Sequence, residues 1–335
     1  MFSRMRPLLA GALLTAAVSL LAPATALGAL PTINGSWSHL PNLPDGFTAM
    51  TGAGAEDNRL YLFGFTGIDT PATYRWNPNT NSWQQRAAAP AICSDAQAAA
   101  LGEDNTIFLA GCYADPVNDP GFRVAAYDVA SNDWTLLPGH GPFVSPIQGA
   151  ALDDGRIFWF SQTLRKRGGE VVITGHRVVV QKLDGTFNSR AKQPTLGPTD
   201  GGGIGQDGHL YMAGGQQECQ PSIGACHVPP VMEFNNAANN WTRPAALPTP
   251  RIKVAVTGDP NGRIWTIAGL HADGSSLYNA VEVYRPHSDS WAKAANLPDK
   301  RWAAQAAFTP NGRIWVYQGF DQFGNPLQDG YVFSN

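Results

Sequence analysis

The sequence predicts an all-β protein in which six small antiparallel sheets form a closed ring. A large aromatic residue returns about every fifty residues, and a turn-forming segment precedes it. A repeat of this length can build four short strands but cannot cover its own apolar faces, so neighbouring copies must pack on one another. The recurring aromatic residues are Trp37, Trp83, Trp134, Phe187, Trp241 and Trp291.

The outer hairpin of each repeat follows from the residues before the recurring aromatic. Another large apolar residue precedes it by seven positions, as Trp76 precedes Trp83 and Tyr127 precedes Trp134. The six residues between them are rich in Asn, Asp, Pro and Ser, which favour tight turns. Each such segment therefore predicts a turn between two strands.

A second hairpin precedes the first in each repeat. Its later strand begins with a residue such as Asn or Gly and continues with an apolar run, as in 58–63, 208–211 and 262–265. Its earlier strand consists mostly of small residues, for instance 97–101 and 149–152. Small side chains suit strands that are crowded around a central axis. Each repeat therefore predicts four antiparallel strands.

These residues resemble the kelch repeat, and the resemblance covers nearly all of the chain after residue 28. The matching features are a strand that ends in Gly214-Gly215, followed by Phe234 and Trp241, and the set Gly269, Tyr284 and Trp291. The resemblance implies a six-bladed kelch β-propeller with four antiparallel strands per blade.

The N-terminal strand is expected to complete the last blade. The sixth repeat provides a third strand at 330–333 and the sequence stops at Asn335, before a final aromatic strand. The segment 36–41 has a fitting sequence and no blade of its own. Pairing between the two would close the ring and remove exposed sheet edges.

Residues 1–28 are predicted to be a secretory signal peptide, and residues 29–335 to be a single propeller domain. Arg4 and Arg6 precede an apolar run from Leu8 to Leu21, and small residues follow at 24–28. The run is too short to span a bilayer comfortably, so no membrane anchor is expected. We expect cleavage near residues 26–29 and a secreted, extracellular or periplasmic location.

The charge of the chain argues against nucleic acid as a partner. Without the N-terminal segment, the 23 basic residues fall to 21 against 26 acidic residues. The tight basic cluster, Arg165-Lys166-Arg167, is flanked by Gly and is expected to be a solvated hairpin tip. No basic stripe that could follow a phosphate backbone is present in the sequence.

Four cysteines fit an exported protein and predict two local disulfides. Cys93 and Cys112 stand nearly equidistant from a turn, while Cys219 and Cys226 bracket a turn-forming insert. A metal site that uses Cys219, Cys226 and His227 is the alternative, but its spacing matches no common zinc pattern. We therefore expect no metal and no cofactor, and a structural role for His209, which occupies a strand position that other repeats fill with Arg.

The candidate site is the mouth of the ring, where the inner strands begin. By alignment of the repeats, the predicted rim residues are Asp95, Gln148, Asp200, Arg251, Lys253, Arg301, Trp302, Gln305 and His271. Arg251, Lys253 and Arg301 would form a cationic sector, and Trp302 would offer a flat surface to a sugar ring. Alternatively, the arginines bond loop carbonyls and acids within the fold.

These residues predict a monomeric binding module for an extracellular glycan or protein. Glutamine amides favour this function because they bond hydroxyl groups without requiring charge. Exported six-bladed kelch proteins that mutarotate or epimerise sialic acid share the expected architecture, which implies a sugar mutarotase or epimerase as an alternative. An interaction scaffold without a small ligand is the third possibility. The copper site of galactose oxidase and its relatives is not expected, because the histidines show no suitable spacing.

Overall fold

The computed structural model describes residues 29–94, 96–113, 121–168, 170–194, 200–215, 218–220, 225–227 and 230–335. The unit Pro31–Asn335 is one compact body. The predicted signal peptide, residues 1–28, lies outside the described residues, so that assignment stays a prediction.

The first three blades pair their strands in chain order, each strand antiparallel to the next. The strand β1 (Ser36–Leu40) stands before them. Blade 1 contains β2 (Phe47–Gly54), β3 (Leu60–Thr66), β4 (Thr70–Asn77) and β5 (Ser82–Arg86). Blade 2 contains β6 (Ala98–Leu101), β7 (Thr106–Cys112), β8 (Arg123–Asp128) and β9 (Asp133–Leu136). Blade 3 contains β10 (Val144–Ala151), β11 (Ile157–Arg167), β12 (Glu170–Gln181) and β13 (Phe187–Lys192).

Blade 4 carries an extra hairpin between its second and third long strands. The blade contains β14 (Gly201–Ile204) and β15 (Leu210–Ala213), then the hairpin β16 (Glu218–Gln220) and β17 (Ala225–His227), and then β18 (Met232–Asn235) and β19 (Asn240–Thr242).

Blade 5 has an inner strand in two pieces, both paired with β22. It contains β20 (Arg251–Ile252), β21 (Ala255–Gly258), β22 (Ile264–His271), β23 (Leu277–Arg285) and β24 (Ser290–Lys293). Blade 6 contains β25 (Gln305–Phe308), β26 (Ile314–Tyr317) and β27 (Gly330–Ser334). The helical elements among the described residues are two short 3-10 turns, Ala91–Cys93 and Pro286–Ser288.

The predicted ring closure is confirmed. β1 lies against β27 as the fourth strand of blade 6, with Ser36 opposite Ser334 and Leu40 opposite Gly330. The described residues thus form six blades of four antiparallel strands around a central axis, with the inner strand of each blade next to those of its neighbours. The all-β, six-bladed prediction is confirmed.

The core lies between the blades, so each blade depends on its neighbours for burial. Phe158 and Phe160 of blade 3 share one cluster with Met212 and Phe234 of blade 4. Near the axis the strands approach more closely, and a Cβ atom built on Gly203 would lie 2.4 Å from the Gly258 Cα atom. Small residues at the axis are therefore required by the close approach of backbones, as the sequence predicted.

The recurring tryptophan also holds adjacent blades together through a hydrogen bond. Trp134 Nε1 donates to the Ala87 carbonyl at 2.9 Å, and Asn132 Oδ1 accepts from the Ala87 N–H at 3.0 Å. Asn132 has a φ of 59°, a left-handed conformation that Asn tolerates. We call this pair of bonds the inter-blade clamp. It recurs with Asn239 and Trp241 on Ala191 and with Asp289 and Trp291 on Ala245.

The clamp is partial or missing where the sequence lacks its donors and acceptors. Trp83 Nε1 donates to the Pro41 carbonyl at 3.2 Å, but Pro41 has no N–H for Asn81 to accept. Blade 3 has Gly185 and Phe187 at the two positions, and neither side chain can make the bonds.

One predicted disulfide is confirmed. Cys93 and Cys112 form a disulfide. Cys219 lies opposite Cys226 in the backbone register of β16 and β17. Their side chains are outside the described part of the chain, so the second disulfide stays a prediction.

The clamp predicts that Asn132→Ala destabilises the protein more than Asn81→Ala, by about 1–2 kcal/mol. The first change leaves the Ala87 N–H and the Tyr127 hydroxyl, which donates to Asn132 Oδ1 at 2.7 Å, without their acceptor. The second removes an Asn from the same left-handed turn position, with a φ of 48°, opposite a proline. Urea unfolding of both variants measures the difference. Equal losses would show that the clamp adds nothing to stability.

Candidate functional site

A cavity of about 660 Å³ opens where the inner strands begin, and all six blades contribute to its wall. We call it the mouth cavity. Its polar lining residues are Gln97, Gln148, Gln162, His176, Asp200, Lys253 and Gln305, and its apolar ones include Met50, Ile147, Ile173, Val254 and Val256. Gln148, Asp200, Lys253 and Gln305, which the sequence placed at the rim, are therefore brought together.

The opposite end of the central channel has a different character. Its cavity of about 480 Å³ is lined largely by small residues of the inner strands, such as Gly52, Ala99, Gly202 and Gly258. Polar side chains such as Asp153, Gln206 and Thr257 are a minority of its lining, whereas the mouth cavity has a more polar wall.

Asp200 lies at the start of the inner strand of blade 4, partly buried in the mouth wall. Its Oδ2 atom accepts the Val254 N–H at 2.7 Å. Desolvation raises the pKa of this carboxyl group to about 7, against the opposing effects of backbone N–H groups and of the Lys253 charge. Asp200 can therefore exchange a proton near neutral pH.

Lys253 is held against Trp302 rather than directed freely into the mouth. Its Nζ atom lies 4.4 Å from the centre of the Trp302 ring, a cation–π contact. Trp302 also stacks on Phe320, with ring centres 4.8 Å apart, and donates through Nε1 to the Asp321 carbonyl at 3.1 Å. The indole ring thus already has an aromatic and a cationic neighbour, and it is not among the residues that line the mouth cavity.

Arg251 is not at the rim, which corrects the expected cationic sector. Its side chain is 0% exposed and its Nη1 atom lies 2.5 Å from Glu282 Oε2, which is also buried. Its Nε atom donates to the Ala268 carbonyl at 2.7 Å, and Nη2 donates to the Thr266 carbonyl at 3.0 Å. The buried guanidinium group therefore connects β22 and β23 within blade 5.

Arg301 occupies the equivalent position of blade 6 and is buried in the same way. Its side chain is 0% exposed, and it contacts Asp299 at 2.6 Å and Asp329 at 3.0 Å. Its Nη1 atom donates to the Gln318 carbonyl at 2.9 Å. The sequence left open whether these arginines line the mouth or bond to carbonyls and acids within the fold. The structure shows the second arrangement for both.

The backbone explains why the arginines turn inward. Lys253 and Ala303, two residues after each arginine, have φ values of 51° and 52°. Such a left-handed residue interrupts the alternation of side chains along a strand, as a bulge does. The arginine consequently enters the blade while the later residues face the mouth.

Of the two remaining predicted rim residues, His271 does not line the mouth cavity. His271 pairs with Asp273, with Nδ1 and Oδ1 2.5 Å apart, on an exposed loop outside the lining residues. Asp95 lies outside the described residues.

His176 was not predicted at the mouth from the sequence, whereas Gln162 was expected where a loop begins on this side. The two residues face each other in the register of β11 and β12, which form a hairpin longer than those of the other blades, and both line the mouth cavity. The His176 ring stacks on Phe160, with centres 5.6 Å apart, and burial lowers the pKa of its imidazole. The available signal was the enrichment of 157–164 and 171–180 in β-branched and aromatic residues, on both sides of a Gly pair at 168–169.

Comparison with known proteins identifies similar chains. No protein-family model matches the chain. A Kelch-like protein of Aspergillus terreus, terF, is 24% identical over 287 residues, which cover 77% of this chain; the chain spans 59% of that protein's length. The solved structure of YjhT superposes with a TM-score of 0.61 at 15% identity and covers 88% of this chain and 99% of that one. The kelch resemblance and the propeller fold are thus confirmed.

Among the described residues, no helix is both long enough and apolar enough to cross a membrane.

The buried pair predicts that Arg251→Ala destabilises the protein by about 3–5 kcal/mol, because Glu282 is left buried without its cation. The exposed Arg243→Ala serves as the matched control and is expected to change stability by less than about 0.5 kcal/mol. Chemical denaturation measures both. A loss for Arg251→Ala no larger than for the control would contradict the structural role.

The raised pKa of Asp200 predicts that Asp200→Asn stabilises the protein at pH 8 but not at pH 4. A carboxyl whose folded pKa exceeds its unfolded value loses stability as pH rises from about 4 to about 7, and Asn has no such titration. We expect a gain on the order of 1 kcal/mol at pH 8, seen as a melting temperature about 2–4 °C higher. The exposed Asp45→Asn is the control. A gain of the same size at both pH values would refute the titration.

Proposed function

We propose that the protein is a secreted binding module that takes a hydroxyl-rich ligand, an extracellular glycan, into the mouth cavity. The observation that carries the proposal is the gathering of four glutamines from three blades, Gln97, Gln148, Gln162 and Gln305, around one cavity. The Cys93–Cys112 disulfide is compatible with an extracellular location, because disulfides persist in oxidising compartments.

The chemistry of the amide groups suits sugar hydroxyls. Each glutamine offers two N–H donors and one carbonyl acceptor, and a hydroxyl group can satisfy either kind. Gln97 and Gln305 are exposed to solvent. Gln148 Nε2 makes only a long bond, 3.3 Å, to the Gly149 carbonyl among the described residues. These groups can turn toward a ligand without breaking strong bonds of the fold.

The size and charge of the mouth fit an uncharged ligand of one or two sugar rings. Its volume of about 660 Å³ falls within the range of small-molecule sites, roughly 300–1,000 Å³. Arg251 and Arg301 are buried and Lys253 lies over Trp302, so little positive charge is free to select an anion. Apolar residues such as Ile147 and Val256 offer surface for the C–H faces of a sugar.

A second candidate, a sugar mutarotase or epimerase, is favoured by Asp200 and His176. Mutarotation requires a proton to leave the anomeric hydroxyl while another reaches the ring oxygen and the ring C–O bond breaks. Asp200, with a pKa of about 7, can supply or accept such a proton, and the lowered pKa of His176 keeps its imidazole neutral at pH 7. NMR of anomer exchange with any bound sugar tests this candidate, and Asp200→Asn should abolish the exchange.

Binding through the mouth predicts that Gln148→Ala and Gln305→Ala each weaken glycan binding about tenfold, the value of one hydrogen bond of about 1.4 kcal/mol. Gln322→Ala is the matched control, because Gln322 is exposed on a loop outside the cavity lining. A thermal-shift screen of neutral and acidic sugars identifies the ligand, and calorimetry measures the affinities.

Three outcomes would contradict the proposal. Unchanged affinity in both mouth variants would place the glycan elsewhere. Equal weakening by Gln322→Ala would show that the effect is not specific to the mouth. No stabilisation by any sugar would favour an interaction scaffold.

A further inference from the structure

Blade 4 departs from four of the other blades at the turn that precedes its second strand. At this position four blades have an arginine two residues before an aromatic residue. Blade 4 instead has His209 two residues before Tyr211. The four arginines are Arg59, Arg156, Arg263 and Arg313. The replacement removes a permanent positive charge and introduces a nitrogen that can bind a metal ion.

The residue across the strand pair changes the local charge further. In blade 1, Arg75 lies opposite Tyr61, and Asp57 has Arg59 and Arg75 within 3.8 Å. In blade 4, Glu233 lies opposite Tyr211. Two arginines around one aspartate in blade 1 thus correspond to a histidine and a second acid around Asp207 in blade 4.

The three side chains of blade 4 converge. His209 Nδ1 lies 2.6 Å from Glu233 Oε1 and 3.4 Å from Asp207 Oδ2, and one ligand atom from each residue lies within 4.8 Å of the other two. Thr242 Oγ1 donates to Glu233 Oε2 at 2.9 Å, which leaves Oε1 directed at His209. The Tyr211 hydroxyl donates to Asp207 at 2.6 Å. Such outer bonds orient ligand groups at metal sites.

This group of residues borders a cavity that is separate from the mouth cavity. This cavity, about 610 Å³, lies between blades 3 and 4, and Asp207 and His209 form part of its wall. Two atoms of other wall residues, Asn236 Oδ1 and Arg190 Nε, are buried without a hydrogen-bond partner among the described residues. The cavity gives water or an ion access to Asp207 and His209, which form part of its wall.

We propose that Asp207, His209 and Glu233 bind a divalent transition-metal ion of the zinc type. One imidazole nitrogen and two carboxylate oxygens form a mixed donor set that suits zinc better than calcium or magnesium, which favour oxygen alone. Two carboxylates also balance the charge of the ion. The cavity leaves room for water to complete the coordination. This site lies apart from the mouth, and the proposal adds a ligand role to the structural role expected for His209.

Calorimetric titration of the chelator-treated, disulfide-intact full chain with zinc chloride tests the proposal. We expect one zinc ion per chain, and at least about tenfold weaker binding in both His209→Arg and Glu233→Gln. His209→Arg places the residue of four other blades at this position, so the fold should tolerate it. His271→Ala is the matched control, because His271 pairs with Asp273 on an exposed loop much as His209 pairs with Glu233.

The outcomes separate the proposed site from its alternatives. Loss of the single zinc ion in both blade 4 variants, with full binding retained in His271→Ala, supports it. Absence of zinc uptake would mean that His209 only bridges two acids as an ion pair, and would overturn it. Unchanged binding in His209→Arg would place the zinc elsewhere, for instance near Cys219 and Cys226, and would also overturn it.

Discussion

The pairing of β1 with β27 is the constraint on which the rest of this structure depends. No blade buries its own apolar faces, so each sheet is stable only between two others. A ring meets this condition for every blade only if its first and last sheets also touch. The five pairs from Ser36–Ser334 to Leu40–Gly330 fix the N-terminal strand in blade 6, and the chain then continues into β2 of blade 1, which packs against β25. The inter-blade clamp adds further hydrogen bonds between adjacent blades, from Trp side chains to the backbone of the preceding blade.

Closure of the ring also creates the mouth cavity, in which we propose that a glycan binds. The mouth cavity has no complete wall within any one blade, since its glutamines, Asp200 and Lys253 come from five different sheets. The blade 4 group of Asp207, His209 and Glu233 is local by contrast, because two adjacent strands and their turn supply it. The repeat builds the scaffold, and the proposed metal site uses a residue that departs from the repeat, His209.

The sequence predicted the fold well because the signal for it recurs. The aromatic period, the small inner strands and the unpartnered segment at 36–41 together imply the closed ring, and the spacing of Cys93 and Cys112 implied their disulfide. The clamp was not foreseeable, because its acceptors and donors are backbone atoms of ordinary alanines. The prediction that Arg251 and Arg301 lie at the rim was wrong, because the left-handed residues after them reverse the alternation of side chains along the strand. His176 was missed because it lies on an extension present in one blade only.

Native-state hydrogen exchange followed by mass spectrometry tests the closed ring most directly. The account predicts that the amides of Ser36–Leu40 exchange as slowly as those of Gly330–Ser334, because the two strands protect each other and open only when the ring opens. Rapid exchange of Ser36–Leu40, at the rate of an unprotected segment, while Gly330–Ser334 stays protected, would contradict the closure and with it the geometry of the mouth.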